Sequence, residues 1–222
     1  MAEPGIERRG LRDAVHERLL TMLLETRLAP GMRLSIDGLA RDLDVSQTPV
    51  REALVLLERT GLVERVALKG YRVAEQLTRA QMDELLEMRE LLEVAAAERA
   101  ARGAVDLAPA LREVHEQHAA LLAEPVADDH SGHRKIFEAD WAFHRVILDH
   151  AANRFLSQMA DDLGAHVHRM RQTIITEHYD LAEALAEHAA ILAAFEAGGD
   201  GAADAMRAHM EGVRRRARRE SD

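Results

Sequence analysis

The sequence predicts a mainly α-helical protein in two domains, an N-terminal winged helix-turn-helix over residues 1–75 and an all-α antiparallel helical bundle over residues 76–222. Three observations predict it. Nearly half of the 222 residues are apolar while only 3% are aromatic, and Ala and Leu abound, a composition that favours helices. Apolar residues recur at three- and four-residue spacing through most of the chain. The alternation that a strand needs is confined to residues 62–73 and ceases near Glu75 to Thr78, which sets the domain boundary.

The first helix is expected from about Leu11 to Arg27, with Val15, Leu19, Met22 and Leu23 as its apolar stripe. Ala29-Pro30-Gly31 stops it. A short second helix covers about Ile36 to Leu43 and a third about Gln47 to Thr60, with Gly61 as a left-handed cap. Leu62 to Val66 and Gly70 to Val73 then form a two-stranded wing. Six later helices are expected near 78–102, 106–123, 134–150, 154–177, 180–197 and 201–219. Their breaks fall at Gly103, at Glu124 to Gly132, at Ala152-Asn153 and at Gly198-Gly199.

Net charge is −10, but it is unevenly placed. Residues 1–75 carry 12 basic and 12 acidic side chains, whereas residues 76–222 carry 17 and 27. A neutral first third can still present a basic face to phosphate, while the acidic remainder is unsuited to it. The last helix ends in Arg214, Arg215, Arg216, Arg218 and Arg219, a run most simply read as a solvated helix end favoured by the helix dipole. The chain has no cysteine, which excludes disulfides, thiolate zinc sites and cysteine nucleophiles. It shows neither a signal-peptide pattern nor a run approaching the ~20 apolar residues of a membrane span. A cytoplasmic location without membrane contact is the expectation.

Residues 39–54 hold two short helices joined by a tight turn, the helix-turn-helix pattern. Ser46 is placed to cap the second helix. Pro49 is tolerated in its first turn, where amide hydrogens lack helical partners. Val50, Leu54 and Leu57 point to the core. Gln47, Thr48 and Arg51 share the opposite N-terminal face, the end of a recognition helix that meets base edges. Arg suits guanine or phosphate, and Gln suits adenine. The wing tip at Lys69 and Gly70 can approach a neighbouring phosphate or the minor groove.

The strings Pro30-Gly31-Met32-Arg33-Leu34, Val45-Ser46-Gln47-Thr48-Pro49-Val50-Arg51-Glu52-Ala53-Leu54 and Gly61-Leu62-Val63 closely resemble the GntR family of regulators over about residues 10–74. The resemblance implies binding to a double-stranded DNA operator. The family usually places Glu-Arg just before its second helix, where this chain has Ile36-Asp37. One habitual phosphate-contacting arginine is thus replaced, with Arg33 or Arg41 as its substitute. Many members also carry Arg where Gln47 stands, which implies a different operator sequence.

In the C-terminal segment four titratable residues fall where their helices want apolar ones. Asp140 and His144 are one turn apart on a face continued by Ile147 and Leu148. His188 lies in the stripe Leu181, Leu185, Leu192, Phe195, and His209 in the stripe Ala202, Met206, Val213. One Asp and three His on three helices make an N/O set suited to a divalent transition metal, whereas hydrogen-bonded core histidines are the plainer reading. Stripe logic admits His118 and His166 as well. His115-Glu116-Gln117-His118 is one residue short of the zinc-protease spacing that brings two imidazoles to one ion.

Residues 78–215 look like the FCD effector domain of the FadR subfamily of GntR regulators. The supporting strings are Glu87-Met88-Arg89-Glu90-Leu91-Leu92-Glu93, Asp140-Trp141-Ala142-Phe143-His144, Ala151-Ala152-Asn153-Arg154-Phe155-Leu156, Glu187-His188-Ala189-Ala190-Ile191, and Gly199-Asp200 with Met206 to His209. This resemblance, and not the spacing, selects Asp140, His144, His188 and His209 as ligands of Zn, Ni or Mn. It implies open positions for a small carboxylic acid effector. Arg89 matches the pattern's arginine and could fork onto the effector carboxylate, or simply pair with Glu93. Asn153 could line the pocket or cap the next helix, and His166 is a further pocket candidate. The expected function is a homodimeric regulator, a repressor released by the acid, and not an enzyme. The alternative is a metal-dependent hydrolase, in which three His and one Asp activate water.

Overall fold

Helix α1 (Pro4–Leu24) buries Val15, Leu19 and Leu23 and packs on helix α3 (Gln47–Arg59). The computed structural model describes residues 4–24, 28–67, 70–121, 130–174 and 181–219, so the expected end of the first helix at Arg27 and the wing residue Lys69 lie outside the described residues. The chain divides into two units, Met1–Gln76 and Leu77–Asp222.

In the first unit, helix α2 (Ile36–Asp42) starts at Ser35, whose hydroxyl accepts a hydrogen bond from the Gly38 amide at 3.1 Å. The turn to α3 places Asp44 in the left-handed region, φ 52°, which Asp tolerates better than most L-residues. Val50, Ala53, Leu54 and Leu57 of α3 are buried, so this helix closes the small core. Gly61 ends it with φ 71°, the left-handed conformation that a side chain disfavours. Behind it lie strands β2 (Val63–Val66) and β3 (Gly70–Val73). A third strand, β1 (Arg33–Leu34), joins them in the order β1-β3-β2, antiparallel throughout. Two residues are too few to show alternation, so the sequence predicts only two strands. In the cross-strand pair Glu64 and Arg72, the guanidinium donates to the carboxylate at 2.8 and 3.0 Å.

The second unit contains only helices among its described residues. They are α4 (Arg79–Ala101), α5 (Ala108–Ala120), α6 (His130–Asp149), α7 (Arg154–Ile174), α8 (Leu181–Glu196) and α9 (Ala202–Arg219). The start of α4 is set by a capping box: the Thr78 hydroxyl accepts from the Gln81 amide and the Gln81 side chain accepts from the Thr78 amide. The Asp106 carboxylate accepts from the Ala108 amide to open α5. Helix α4 packs on α6, α7 and α9, and α8 packs on α5 and α9. The main core joins Ala96, Ala97 and Ala100 of α4 to Leu111, Phe143, Ile147, Ile191 and Met206. A second core joins Leu85 and Leu86 to Val167 and Met210.

The terminal arginine run does more than end a helix in solvent. Arg214 pairs with Glu90 at 2.9 Å, Arg216 with Glu183 and Glu187, and Arg218 with Asp83 at 3.5 Å. These bridges tie α9 to α4 and α8.

Candidate nucleic-acid interface and metal centre

In the first unit the residues expected to read DNA stand on the surface. Ser46, Gln47, Thr48 and Arg51 are all exposed at the N-terminal end of α3, opposite its buried apolar face. Ser46 holds the N-cap position with φ −70° and ψ 162°, yet its hydroxyl makes no capping hydrogen bond. The sequence-based expectation of side-chain capping is thus corrected: the backbone turns correctly while the hydroxyl remains at the surface. Arg51 donates to the Gln47 side chain at 3.0 Å, as two residues one turn apart can. Arg41 is exposed and leans on the Asp37 carbonyl at 3.3 Å. Arg33 is exposed on β1, and Gly70 is exposed at the start of β3.

In the second unit, Asp140, His144, His188 and His209 are almost completely buried, at 1%, 0%, 0% and 2% exposure. Three helices bring them together. An Asp140 carboxylate oxygen lies 3.9 Å from His144 Nε2, and the other lies 3.6 Å from His188 Nε2. The three imidazoles form a triangle with ring centroids 4.8–5.1 Å apart. One ligating atom from each lies within 4.8 Å of the others. Phe143 stacks on His188, with centroids 4.2 Å apart and planes 5° from parallel.

His118 of α5 is also fully buried, 5.7 Å from His188 between ring centroids. It forms a second group of close donor atoms with Asp140 and His188. The stripe pattern of the sequence admits it without selecting it.

Glutamates orient two of the imidazoles. Glu93, 1% exposed, approaches His144 Nδ1 at 2.5 Å with one oxygen and accepts from Arg89 Nε at 2.7 Å with the other. Burial alone would raise the Glu93 carboxyl, but the Arg89 charge and the His144 contact outweigh it and hold it well below the ordinary carboxylate range. Glu187 accepts from His209 Nδ1 at 2.9 Å. Burial likewise works to raise Glu187, and hydrogen bonds from His209 and Arg216 overcome it to bring the carboxyl down to about 2. Burial is the main cause that holds the His209 imidazole down to about 4, against the opposing hydrogen bond to Glu187. A histidine of that kind is neutral near pH 7, the form that ligates metal.

The residues present fit a divalent transition metal. Among the described residues, His144 Nε2 and His209 Nε2 are buried without a hydrogen-bond partner, a costly arrangement unless something binds there. Their Nδ1 atoms face carboxylates, which directs the Nε2 lone pairs toward the centre of the cluster. Three imidazoles and one carboxylate are the donor types that Zn, Ni or Mn accept.

Of the two readings of Arg89, the pairing with Glu93 is present in the structure. Its Nε is engaged by Glu93, while Nη1 and Nη2 are buried with no hydrogen-bond partner among the described residues. The guanidinium carbon lies 5.9 Å from the Trp141 ring centroid. Those two nitrogens form the planar fork that recognises a carboxylate. Asn153 caps α7, its side-chain oxygen accepting from the Phe155 and Leu156 amides at 3.1 and 3.3 Å. His166 stands half-buried on α7, next to Val167 of the second core.

Sequence reasoning missed the contacts of Glu93 and Glu187 with the histidines. Glu93 carried a signal, its position one turn from Arg89. Glu187 carried none, because it is an ordinary acid beside His188.

Comparison with known proteins gives two family matches. Residues 11–73 match the bacterial regulatory proteins of the gntR family, and residues 84–212 match the FCD domain. An HTH-type transcriptional regulator from an unstable DNA locus of Streptomyces ambofaciens is 30% identical over 91% of this chain and 83% of its own length. The HTH-type transcriptional repressor RspR of Escherichia coli is 27% identical over 84% of this chain and 79% of its own. Among solved structures, E. coli McbR/YncC superposes with a TM-score of 0.77 at 22% identity, covering 96% of this chain and 99% of the other.

Proposed function

The chain belongs to the GntR family of DNA-binding transcription regulators and carries an FCD effector domain, and from that premise we propose that it is a homodimeric repressor released by a small carboxylic acid held at a metal centre. The observation that carries this reading is the buried cluster of Asp140, His144, His188 and His209, with Glu93 linking His144 to the half-engaged fork of Arg89. Two kinds of buried group without a hydrogen-bond partner among the described residues, imidazole nitrogens and a guanidinium edge, suit an ion and an anion together.

Asp140, His144, His188 and His209 hold the ion in this reading. When bound, the ion supplies a positive, ligand-accepting centre for an oxygen of the acid. Arg89 meets the carboxylate through Nη1 and Nη2, and Glu93 keeps the guanidinium in place. Phe143 stacks on His188, and Trp141 lies beside His144 and Arg89. Gln47, Thr48 and Arg51 enter the major groove of the operator, with Ser46 at the entry of the helix and Arg33, Arg41, Lys69 and Gly70 toward the phosphates. A twofold dimer reads a twofold operator. Effector binding changes operator affinity by favouring one arrangement of the reading heads. The relative named as a repressor favours release over activation as the sign of the response.

Calorimetry tests this reading. Protein loaded with Zn²⁺, Ni²⁺ or Mn²⁺ is titrated with a panel of small mono- and dicarboxylic acids, and its affinity for operator DNA is measured with and without each acid. At least one acid is expected to bind the metal-loaded form and weaken DNA binding. No binding by any acid, with unchanged DNA affinity, would sink the proposal. Turnover of a phosphoester or amide would point to the hydrolase alternative, which the relatives named above do not support.

A further inference from the structure

Helix α9 approaches α8 closely at one point. Gly212 faces Glu187, and a Cβ built on Gly212 would lie 1.9 Å from Glu187 Oε1 and 2.6 Å from its carboxyl carbon. The carboxylate therefore occupies space that any other residue at 212 would fill. From that position it reaches two partners on α9. Glu187 Oε2 accepts from His209 Nδ1 at 2.9 Å, and the Arg216 guanidinium forks onto both oxygens at 2.8 Å each. His209, Gly212 and Arg216 follow one another at three- and four-residue spacing, so they lie along one face of α9. The glycine opens the gap, the arginine clamps the carboxylate in it, and the carboxylate accepts the hydrogen bond from His209 Nδ1.

We propose that Glu187 is a positioning residue: held by Gly212 and Arg216, it fixes His209 with its proton on Nδ1 and its lone pair on Nε2, so that Nε2 faces His144 and His188 ready for a cation. A ligating histidine needs its second nitrogen held by an acceptor, and loss of such an acceptor typically costs 10- to 100-fold in metal affinity. His209 Nε2 is buried with no hydrogen-bond partner among the described residues, so this tautomer leaves its lone pair directed into the cluster. The opposite tautomer would strand an N–H there and set two lone pairs against each other at Glu187. Because Arg216 also reaches Glu183 at 3.4 Å, the same clamp ties the imidazole to the packing of α9 on α8. The inference rests on the metal-centre reading for its consequence, but the tautomer itself does not depend on any ion.

The test uses the full chain as wild type and as Glu187→Ala, Glu187→Gln and Gly212→Ala, with Glu196→Ala as a surface control. Two readouts are taken. The His209 tautomer is read at pH 7 in metal-free protein by long-range proton–nitrogen NMR, and Zn²⁺ affinity is read by competition with a chromophoric chelator. Wild type should show Nδ1–H. Glu187→Ala and Gly212→Ala should lose that single tautomer and bind Zn²⁺ at least tenfold more weakly. Glu187→Gln, which keeps an acceptor oxygen, should restore most of both, and the control should match wild type. Circular dichroism confirms that each variant is folded. Wild-type tautomer and affinity in folded Glu187→Ala would overturn the proposal. If the wild type takes up no Zn²⁺, the metal reading fails, and the tautomer measurement alone still decides the role of Glu187.

Discussion

Phe143 and His188 lie face to face, their rings 4.2 Å apart and 5° from parallel. Both are fully buried, and they come from different helices, α6 and α8. The stack fixes the plane of the imidazole and thereby the direction of its ring nitrogens. Phe143→Leu keeps most of the apolar volume but removes the flat surface. It is expected to lower Zn²⁺ affinity by about an order of magnitude, in line with losses from other groups that orient a ligand, while costing ~1 kcal/mol in stability. Chelator competition and urea unfolding check the two effects separately. An unchanged affinity would mean that the backbone alone orients His188.

Arg89 and Glu93 are buried together and joined at 2.7 Å. Arg89→Ala leaves a buried carboxylate without its main positive partner, and the expected loss is about 3–5 kcal/mol. The double change Arg89→Met with Glu93→Gln should recover part of that stability without restoring any response to acid. Urea unfolding of the three proteins measures the first point, and calorimetry with a binding acid measures the second.

Arg51 is exposed, and among the described residues its side chain bonds to exposed Gln47. Arg51→Ala should therefore leave thermal unfolding unchanged and weaken operator binding on the order of tenfold or more. Gln47→Arg should alter which operator sequence is preferred. Fluorescence anisotropy with a panel of duplexes distinguishes the two outcomes, and operator binding unaffected by Arg51→Ala would remove α3 from the reading head.

Loading the metal centre should stabilise the folded protein. An ion that binds only the folded state adds about 2.7 kcal/mol at a hundred times its dissociation constant. Thermal unfolding after a strong chelator, and again after Zn²⁺ or Ni²⁺ is restored, should show the melting point falling and then rising. His188→Ala should abolish the rise.

Ala152 adopts φ 48° just before the Asn153 cap. The left-handed region costs an L-residue roughly 1–2 kcal/mol, and glycine loses part of that advantage through its greater unfolded-state freedom. Ala152→Gly is expected to stabilise the protein by about 0.5–1 kcal/mol, measured as an upward shift in melting temperature.

Much of the fold was legible because it follows from local rules. The apolar stripe of α3, the left-handed Gly61 and the alternation in β2 and β3 each involve residues a few positions apart. The candidate site was legible to the same depth. Asp140 and His144 declare a shared face by their spacing, and His188 and His209 interrupt apolar stripes, so burial could be expected of all four. Their selection over His118 came from family resemblance, and the structure shows His118 buried beside His188 as well. Strand β1 was illegible because two residues carry no period, and the missing Ser46 cap because a hydroxyl rotamer leaves no trace in residue type.

By itself, then, the sequence determined where helices start and stop, which faces turn inward and which three side chains project from the end of α3. Only the tertiary structure decided that Glu93 meets His144, that Glu187 slips past Gly212 to His209, that Arg89 keeps two donors unengaged, and that the terminal arginines bridge three helices. Periodicity acts within a helix and reports a face. The partner that fills the space opposite that face depends on how helices distant in sequence pack, and no spacing along the chain encodes a distance across it.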